Sequence, residues 1–255
     1  MQLERRHEMI NCTVVLLGQQ PQIIVQQRCK TFLHQDGLRY TRSLANQLGA
    51  QSDRIHLLKA APGQHSVGYQ QILTTDQTVG QHWMAADGIL LEQCNSAAFF
   101  QTADCPTVVI GNRKTGVVGM VHCGRPAAEP VEGENIITKL LALIMFDGSD
   151  TDKLEVYITG AIAGADFQHD NNDDIRAKAL PFLKEFGSEV FTDVDTLALD
   201  MVAVIKHQLT TAGLRPDQIT HDGLNTYRVP GLASHRRSAF NQEQRMKANT
   251  VLVVT

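Results

Sequence analysis

The fold of this 255-residue chain is decided by one stretch near its middle, Gln101-Thr-Ala-Asp-Cys105-Pro-Thr-Val-Val-Ile-Gly111-Asn-Arg-Lys-Thr-Gly116-Val-Val-Gly-Met-Val-His122. Two runs rich in β-branched residues, 107–110 and 117–121, flank the polar sequence Gly-Asn-Arg-Lys-Thr-Gly. Glycines at both ends of a short polar turn between such runs are typical of an antiparallel hairpin. The stretch therefore predicts a hairpin whose two outer ends lie side by side.

Strand-like and helix-like segments alternate outward from this hairpin toward both ends of the chain. Strands are predicted at 13–17, 22–25, 54–60, 88–91, 97–101, 154–159, 219–222 and 251–254. Helices are predicted around 38–48, at 135–146, at 173–186 with Pro181 breaking or restarting the helix, and at 195–212, from Asp195 to a stop at Gly213. Hairpins mixed with helices predict an α/β or α+β fold with mixed sheets. With no repeat or linker visible, we expect a single domain over residues 1–255.

Composition excludes several classes of partner. Hydrophobic residues make up 43% of the chain and the net charge is −4, so nothing predicts an electrostatic grip on nucleic acid or on an anionic membrane. No stretch approaches the roughly 20 apolar residues of a membrane span. The five cysteines are scattered and odd in number, which argues against a disulfide scaffold and predicts a cytoplasmic location.

Cys105 and His122 stand at the two outer ends of the predicted hairpin, so a thiol and an imidazole converge there. Such a pair can bind a metal, for which thiolate and imidazole favour zinc. It can also form a nucleophilic dyad in which the histidine activates the thiol. A third interpretation is purely structural, with a buried cysteine and a hydrogen-bonded histidine. The spacing alone leaves all three open.

A third ligand is available in a loop. His65 lies in Ala61-Pro-Gly-Gln-His65-Ser-Val-Gly, directly after a predicted strand, and loops on a rigid scaffold often carry site residues. Together with Cys105 and His122 it gives two nitrogens and one sulfur. That is the ligand count of a catalytic zinc site whose fourth position stays open for water or substrate.

The order of these motifs resembles the laccase-domain, or polyphenol oxidase-like, family over roughly residues 32 to 254. The most specific match is Thr102-Ala-Asp-Cys105 followed by a hairpin and His122-Cys-Gly124-Arg125. Weaker matches are Gln64-His65, Ala86-Asp87-Gly88, Asp222-Gly-Leu224-Asn-Thr226-Tyr227 and Ser234-His-Arg236-Arg237. The resemblance implies the family's four-layer α/β/β/α fold.

The resemblance also implies a site and an activity. Family members bind one zinc per chain through residues matched by His65, Cys105 and His122, with copper as the alternative metal. They phosphorolyse purine nucleosides such as adenosine and inosine to the base and ribose 1-phosphate, and they deaminate adenosine. Phosphate would need arginines, for which Arg125, Arg236 and Arg237 are the candidates. Asp104, beside the thiolate, is a candidate acid or base, a partner for a ligand histidine, or a turn cap.

The sequence also departs from the family pattern on the substrate side. Arg125 is displaced by one position relative to the family's His-Ala-Gly-Trp-Arg-Gly, and the usual Gly-Pro-x-Ile-Gly-Pro is reduced to Gly160-Ala-Ile-Ala-Gly164-Ala. Two rival functions follow. One is a Cys–His hydrolase or amidase that uses Cys105 and His122 without metal. The other is a catalytically inactive relative that still binds metal.

Overall fold

The structure is a computed structural model that describes residues 6–9, 12–17, 35–59, 71–75, 84–129, 133–146, 148, 150–230, 232–238 and 249–255. The strands of this part of the chain are β1 (Arg6–Met9), β2 (Cys12–Leu17), β3 (Ile55–Lys59), β4 (Ile72–Thr74), β5 (Met84–Ala85), β6 (Gly88–Leu91), β7 (Ala97–Thr102), β8 (Thr107–Asn112), β9 (Val118–His122), β10 (Leu154–Thr159), β11 (Phe191–Asp193), β12 (Ala198–Leu199), β13 (Ile219–His221) and β14 (Asn249–Val254). The α-helices are α1 (Gln35–Gln47), α2 (Arg125–Ala128), α3 (Ile136–Ile144), α4 (Asp173–Ala177), α5 (Leu180–Phe186), α6 (Met201–Thr211) and α7 (His235–Ser238). None of the described helices is both long and apolar enough to cross a membrane.

Two six-stranded sheets form the framework. The first has the order β1-β2-β14-β7-β3-β5 and the second the order β13-β10-β8-β9-β6-β4, while β11 and β12 form a separate hairpin. In the first sheet β14 runs antiparallel to β2 and β7, whereas β3 runs parallel to β7 and β5. In the second sheet β8 and β9 are antiparallel, and parallel pairs lie at both edges. Both sheets are therefore mixed, as predicted.

The predicted hairpin is β8–β9, at the centre of the second sheet. Its turn closes with the Gly116 amide donating to the Asn112 carbonyl at 2.8 Å and the Asn112 amide donating to the Val117 carbonyl at 2.9 Å. Gly116 has φ +75°, a left-handed conformation that favours glycine. Gly116, the second glycine of the predicted turn, is thus required by the backbone conformation of that turn.

Three hydrophobic cores separate four layers. The inner core joins the two sheets and contains Phe100 and Val253 from one and Val109 and Met120 from the other. One outer core packs α3, α5 and α6 on the second sheet. The other packs the end of α1, including Ala45, on the first sheet. The order of layers is helix, sheet, sheet, helix, which confirms the predicted α+β class.

Two helix predictions have different outcomes. The interruption at Pro181 is confirmed, because α5 restarts with this proline in its first turn. The helix predicted from Asp195 is wrong, because residues 191–199 form the β11–β12 hairpin and α6 begins at Met201. Asp200 caps α6 instead, its Oδ1 accepting from the amides of Val202 and Ala203 at 2.9 and 3.0 Å.

Among the strands, those predicted at 88–91 and 154–159 match β6 and β10 at both ends. The strand predicted at 22–25 lies outside the described residues. The short strands β1, β4 and β5 were not predicted, since two to four residues carry too little pattern to separate a strand from a loop.

Candidate functional site

Cys105 and His122 meet at the outer end of the β8–β9 hairpin. His122 is the last residue of β9 and pairs with Thr107, the first residue of β8. Cys105 stands two positions before that pair. The His122 ring faces the first sheet, where its centroid lies 6.1 Å from that of Phe100. The thiol–imidazole pair therefore lies at the open edge between the two sheets.

Gly124 keeps a space open between the two side chains. A Cβ built on this residue would lie 3.2 Å from the Cys105 Sγ, 3.1 Å from the His122 Cε1 and 3.4 Å from its Nε2. The Gly124 backbone has φ −66° and ψ 163°, a conformation open to any residue. The requirement for glycine is therefore spatial, because a side chain would fill the gap between the thiol and the imidazole.

Asp87 is an acidic neighbour of His122. Its Oδ1 lies 3.6 Å from the His122 Nδ1, and its carbonyl accepts the His122 amide at 2.7 Å. Burial lowers the pKa of His122, but the nearby Cys105 and Asp87 outweigh burial and raise the pKa to about 10. The surroundings of the ring thus stabilise a positive charge, which either a proton or a metal cation supplies.

The donor types at this position fit zinc. A thiolate and an imidazole are common zinc ligands, and a carboxylate on the other ring nitrogen is the usual partner of a ligand histidine. Because Asp87 faces Nδ1, Nε2 is the nitrogen left for a metal. His65, the third predicted ligand, lies outside the described residues. Within the described residues no three His, Cys, Asp or Glu side chains form a complete metal site.

Asp104 ties three segments of the chain together. Its Oδ1 accepts from the Thr226 hydroxyl at 2.7 Å, and its Oδ2 accepts from the Ser234 hydroxyl at 3.0 Å and the Arg236 amide at 2.7 Å. Its own carbonyl accepts the Ile162 amide at 2.9 Å. Both carboxylate oxygens are engaged and only 7% of the residue is exposed. This geometry favours a positioning role, while the acid or base role stays a prediction.

Arg125 is the most available cation near the pair. It follows Gly124 at the start of α2, is half-buried, and makes no hydrogen bond or ion pair through its guanidinium within the described part of the chain. Burial is the main influence on the pKa of Arg125 and lowers it, Glu129 and Cys105 raise it, and Arg236 lowers it further. Arg125 therefore lies within electrostatic reach of both Cys105 and Arg236.

The two arginines of the C-terminal motif have different environments. The guanidinium of Arg236 lies 5.2 Å from the centre of the Phe167 ring and donates to the Gln168 carbonyl at 3.0 Å. The guanidinium of Arg237 donates instead to the carbonyls of Tyr227, at 2.7 Å, and Leu232. Arg236 thus lies against Phe167 and Gln168, whereas Arg237 holds the preceding loop.

His169 is a neighbour of this arginine pair that the sequence analysis did not select. Its Nδ1 lies 3.1 Å from the Leu197 carbonyl oxygen, and its ring packs edge-on against Phe167 at 4.4 Å between centroids. Only 1% of the residue is exposed. Burial lowers its pKa to about 4, and the charges of Arg125 and Arg236 act in the same direction. Neither its spacing nor a local motif marks it in the sequence.

These features define a class of protein, a four-layer α/β/β/α fold with a thiol–imidazole pair at the edge between its two sheets. The model of the multi-copper polyphenol oxidoreductase laccase family matches residues 35–251, and the chain belongs to this family. It is similar to a purine nucleoside phosphorylase of Mycobacterium tuberculosis, with 28% identity over 155 residues, or 60% of this chain and 57% of that protein. The match thus spans less than two thirds of that relative's length.

Two solved structures share the fold. YlmD from Geobacillus stearothermophilus superimposes with a TM-score of 0.73 at 15% identity, covering 99% of this chain and 98% of that one. The hypothetical protein YfiH of Bacillus licheniformis gives a TM-score of 0.70 at 17% identity, covering 95% and 92%. At such identities the likeness concerns the fold.

We expect Asp104→Ala to lower the free energy of unfolding by about 3 kcal/mol, because three donors lose their buried acceptor. Asp104→Asn should cost less, since one amide oxygen still accepts while the amide nitrogen faces donors. Urea unfolding monitored by circular dichroism measures both. The matched control is Asp170→Ala, an exposed aspartate, expected within about 0.5 kcal/mol of wild type. Equal stability of Asp104→Ala and the control would contradict the positioning role.

Acidification should destabilise the protein through His169. Its folded-state pKa of about 4 lies below the ordinary value of 6.5, so between these values the unfolded chain binds more protons and stability falls as the pH falls. The loss from pH 7 to pH 5 is about 2 kcal/mol for this one group. The stability difference between wild type and His169→Asn, measured by urea unfolding, should therefore shrink by that amount at pH 5. A difference independent of pH would show that the buried ring is not neutral.

Proposed function

We propose that this chain is a zinc-dependent purine nucleoside phosphorylase, which converts adenosine or inosine and phosphate to the free base and ribose 1-phosphate. The observation that carries the proposal is the half-buried Arg125 guanidinium, which follows Gly124 and lies within electrostatic reach of Cys105. The arginine guanidinium is well suited to bind phosphate, because it donates two parallel hydrogen bonds. The name of the Mycobacterium tuberculosis relative supports the same substrate class.

Arginines also distinguish phosphorolysis from adenosine deamination. Deamination replaces an amino group on the purine ring with oxygen from water and requires no anion. Phosphorolysis brings a phosphate dianion into the site and benefits from two neighbouring cations. The proximity of Arg125 and Arg236 therefore favours phosphorolysis as the main activity, with deamination as a secondary reaction to be assayed.

In this proposal Cys105, His122 and the predicted ligand His65 hold one zinc ion per chain. When bound, zinc acts as a Lewis acid that polarises a coordinated oxygen and lowers the pKa of a coordinated water. Asp87 orients His122 for this role through Nδ1, and Gly124 leaves room between the ligands. Copper suits the same donors, so metal analysis must decide between the two ions.

The chain's own residues account for the phosphate side of the reaction. Arg125 and Arg236 hold the anion so that one of its oxygens attacks C1′ of the ribose while the bond from C1′ to the purine nitrogen breaks. The purine leaves with the bonding electron pair and takes up the proton that hydrogenphosphate loses as it becomes the phosphate ester. Asp104 contributes indirectly, because its carboxylate accepts the Arg236 amide and fixes the start of α7.

A metal-free Cys–His hydrolase or amidase is the alternative, favoured by the closeness of the Cys105 thiol and the His122 ring on either side of Gly124. In that reaction the thiolate would attack a carbonyl carbon and His122 would protonate the leaving amine. The two functions respond oppositely to reagents. A chelator abolishes a zinc-dependent reaction and spares the hydrolase, whose activity is lost on thiol alkylation.

We expect the purified protein to contain about one zinc per chain by elemental analysis, and Cys105→Ala to contain little. Cys94→Ala is the matched control, because Cys94 is an exposed free cysteine and its loss should leave the metal content unchanged. Zinc-loaded wild type should release hypoxanthine from inosine only when phosphate is present. Wild type that takes up no metal when zinc is offered would shift the proposal to the hydrolase, and metal without turnover of any nucleoside would indicate an inactive relative.

Replacing Arg125 should weaken the use of phosphate. Arg125→Ala is expected to lower kcat/KM for phosphate roughly 100-fold, because one charged donor to the transferred group is lost. Arg125→Lys should recover part of this loss, since a lysine supplies the charge without the paired donors. The control is Arg215→Ala, whose exposed side chain pairs with Asp152 and Asp217. A fall in kcat/KM for the nucleoside alone would indicate that Arg125 contacts the nucleoside and not the phosphate.

A further inference from the structure

A row of polar side chains crosses the second sheet on its inner face and includes His122. His122 pairs with Thr107 across β9 and β8, and Thr107 pairs with Thr159 across β8 and β10. The residues two positions along each of these strands belong to the inner core, so the row faces the first sheet. Both threonines are completely buried. The edge of the inner core at the candidate site is therefore lined by hydroxyl groups.

Thr102, the last residue of β7, faces this row from the first sheet. A Cβ built on Gly160, directly after β10, would lie 3.8 Å from the Thr102 Oγ1. Phe100, two positions earlier on the same face of β7, lies opposite the His122 ring at 6.1 Å between centroids. Thr107 is on β8, the strand between β9 and β10. Thr102 and Thr107 are therefore neighbours across the space between the two sheets.

The hydroxyls of Thr102 and Thr107 make no hydrogen bond with the residues that the structure describes, although both oxygens are inaccessible from outside. The great majority of buried polar side-chain atoms do have a partner, and an unpaired one carries the cost of its desolvation. Packed sheets lie about 10 Å apart, so hydroxyls that reach inward from opposite sheets are separated by about 5 Å. That separation is too long for a direct hydrogen bond and is bridged by one water molecule.

Thr159 supplies a third polar partner with a defined orientation. Its hydroxyl donates to the Oδ2 of Asp222, whose side chain is fully buried. Because the hydroxyl proton is engaged there, the free lone pairs of the Thr159 oxygen can only accept. A bridging water would donate to Thr159, while the hydroxyls of Thr102 and Thr107 rotate to donate or accept as needed. Three partners suffice for an internal water.

We infer that one internal water lies between the two sheets and is bound by the hydroxyls of Thr102, Thr107 and Thr159. Thr102 and Thr107 are the two ends of the connection between β7 and β8, and this connection carries Cys105. The water therefore joins the first sheet to the second at the base of the segment that presents the thiol. The inference goes beyond the proposed function, because it requires neither a metal nor a nucleoside.

Urea unfolding of the metal-free protein tests this water through Thr102→Val, Thr107→Val and the double variant, because valine keeps the shape of threonine without its hydroxyl. Each single variant should lower the folding equilibrium constant about tenfold, since it leaves the water and the other hydroxyl short of a partner. The double variant should also lose about tenfold, and not the roughly hundredfold of two independent losses, because the water leaves with both hydroxyls. The control is Thr211→Val, an exposed threonine of α6, expected within about twofold of wild type.

Without the water the signs are reversed. An unpaired buried hydroxyl destabilises the folded protein, so valine at Thr102 or Thr107 would then raise the folding equilibrium constant, and that result overturns the inference. Losses that add in the double variant also overturn it, because each hydroxyl would then have a partner of its own. A high-resolution crystal structure of wild type is the second measurement and decides even if the variants do not fold. Density within hydrogen-bonding distance of all three threonine oxygens supports the water, and a dry space between them refutes it.

Discussion

Thr107 pairs with His122 in the antiparallel ladder between β8 and β9, and this register governs both the core and the site. Side chains alternate between the two faces of a strand, so a slip of one residue would exchange every side chain of β9 between the inner core and the helix-covered core. In the observed register Met120 and His122 face the first sheet, while Val121 faces the helices. The same slip would move the His122 imidazole away from Cys105. The packing of the hydrophobic core, which sets this register, therefore also sets the relative positions of Cys105 and His122.

Asp104 extends this order from the hairpin to parts of the chain that are distant in sequence. Its φ of +78° is uncommon for a residue other than glycine, although aspartate tolerates it better than most. That conformation accompanies hydrogen bonds to Thr226, Ser234 and the Arg236 amide. The residue next to Cys105 thus sets where α7 begins, and with it where an arginine reaches the site. Arg237 completes the arrangement by holding the carbonyls of the loop before α7.

Sequence patterns were sufficient where the determining interactions are local. The β8–β9 hairpin and the restart of α5 at Pro181 both depend on neighbouring residues. The helix predicted from Asp195 was wrong because residues 191–199 pair as β11 and β12, and this pairing leaves no local pattern that distinguishes Asp195 from the true cap, Asp200. Asp87 and His169 were not identified as site residues from the sequence, for another reason. Their partners, His122 and Leu197, are brought to them by the tertiary fold, and no spacing rule connects residues across two sheets or a separate hairpin.

The described part of the site is divided into two halves of opposite charge. Cys105 and Asp87 create a negative environment that raises the pKa of His122, whereas burial, together with the charges of Arg125 and Arg236, lowers the pKa of His169. One histidine is therefore prepared to hold a cation and the other to remain neutral, although both are buried. Under the proposed function a nucleoside and phosphate would lie across this boundary, with the metal on the negative side and the anion on the positive side. Cys105 raises the pKa of both His122 and Arg125, so its charge acts on both halves. The field across that substrate would then come from fixed side chains, which need little rearrangement as charge moves from phosphate to purine.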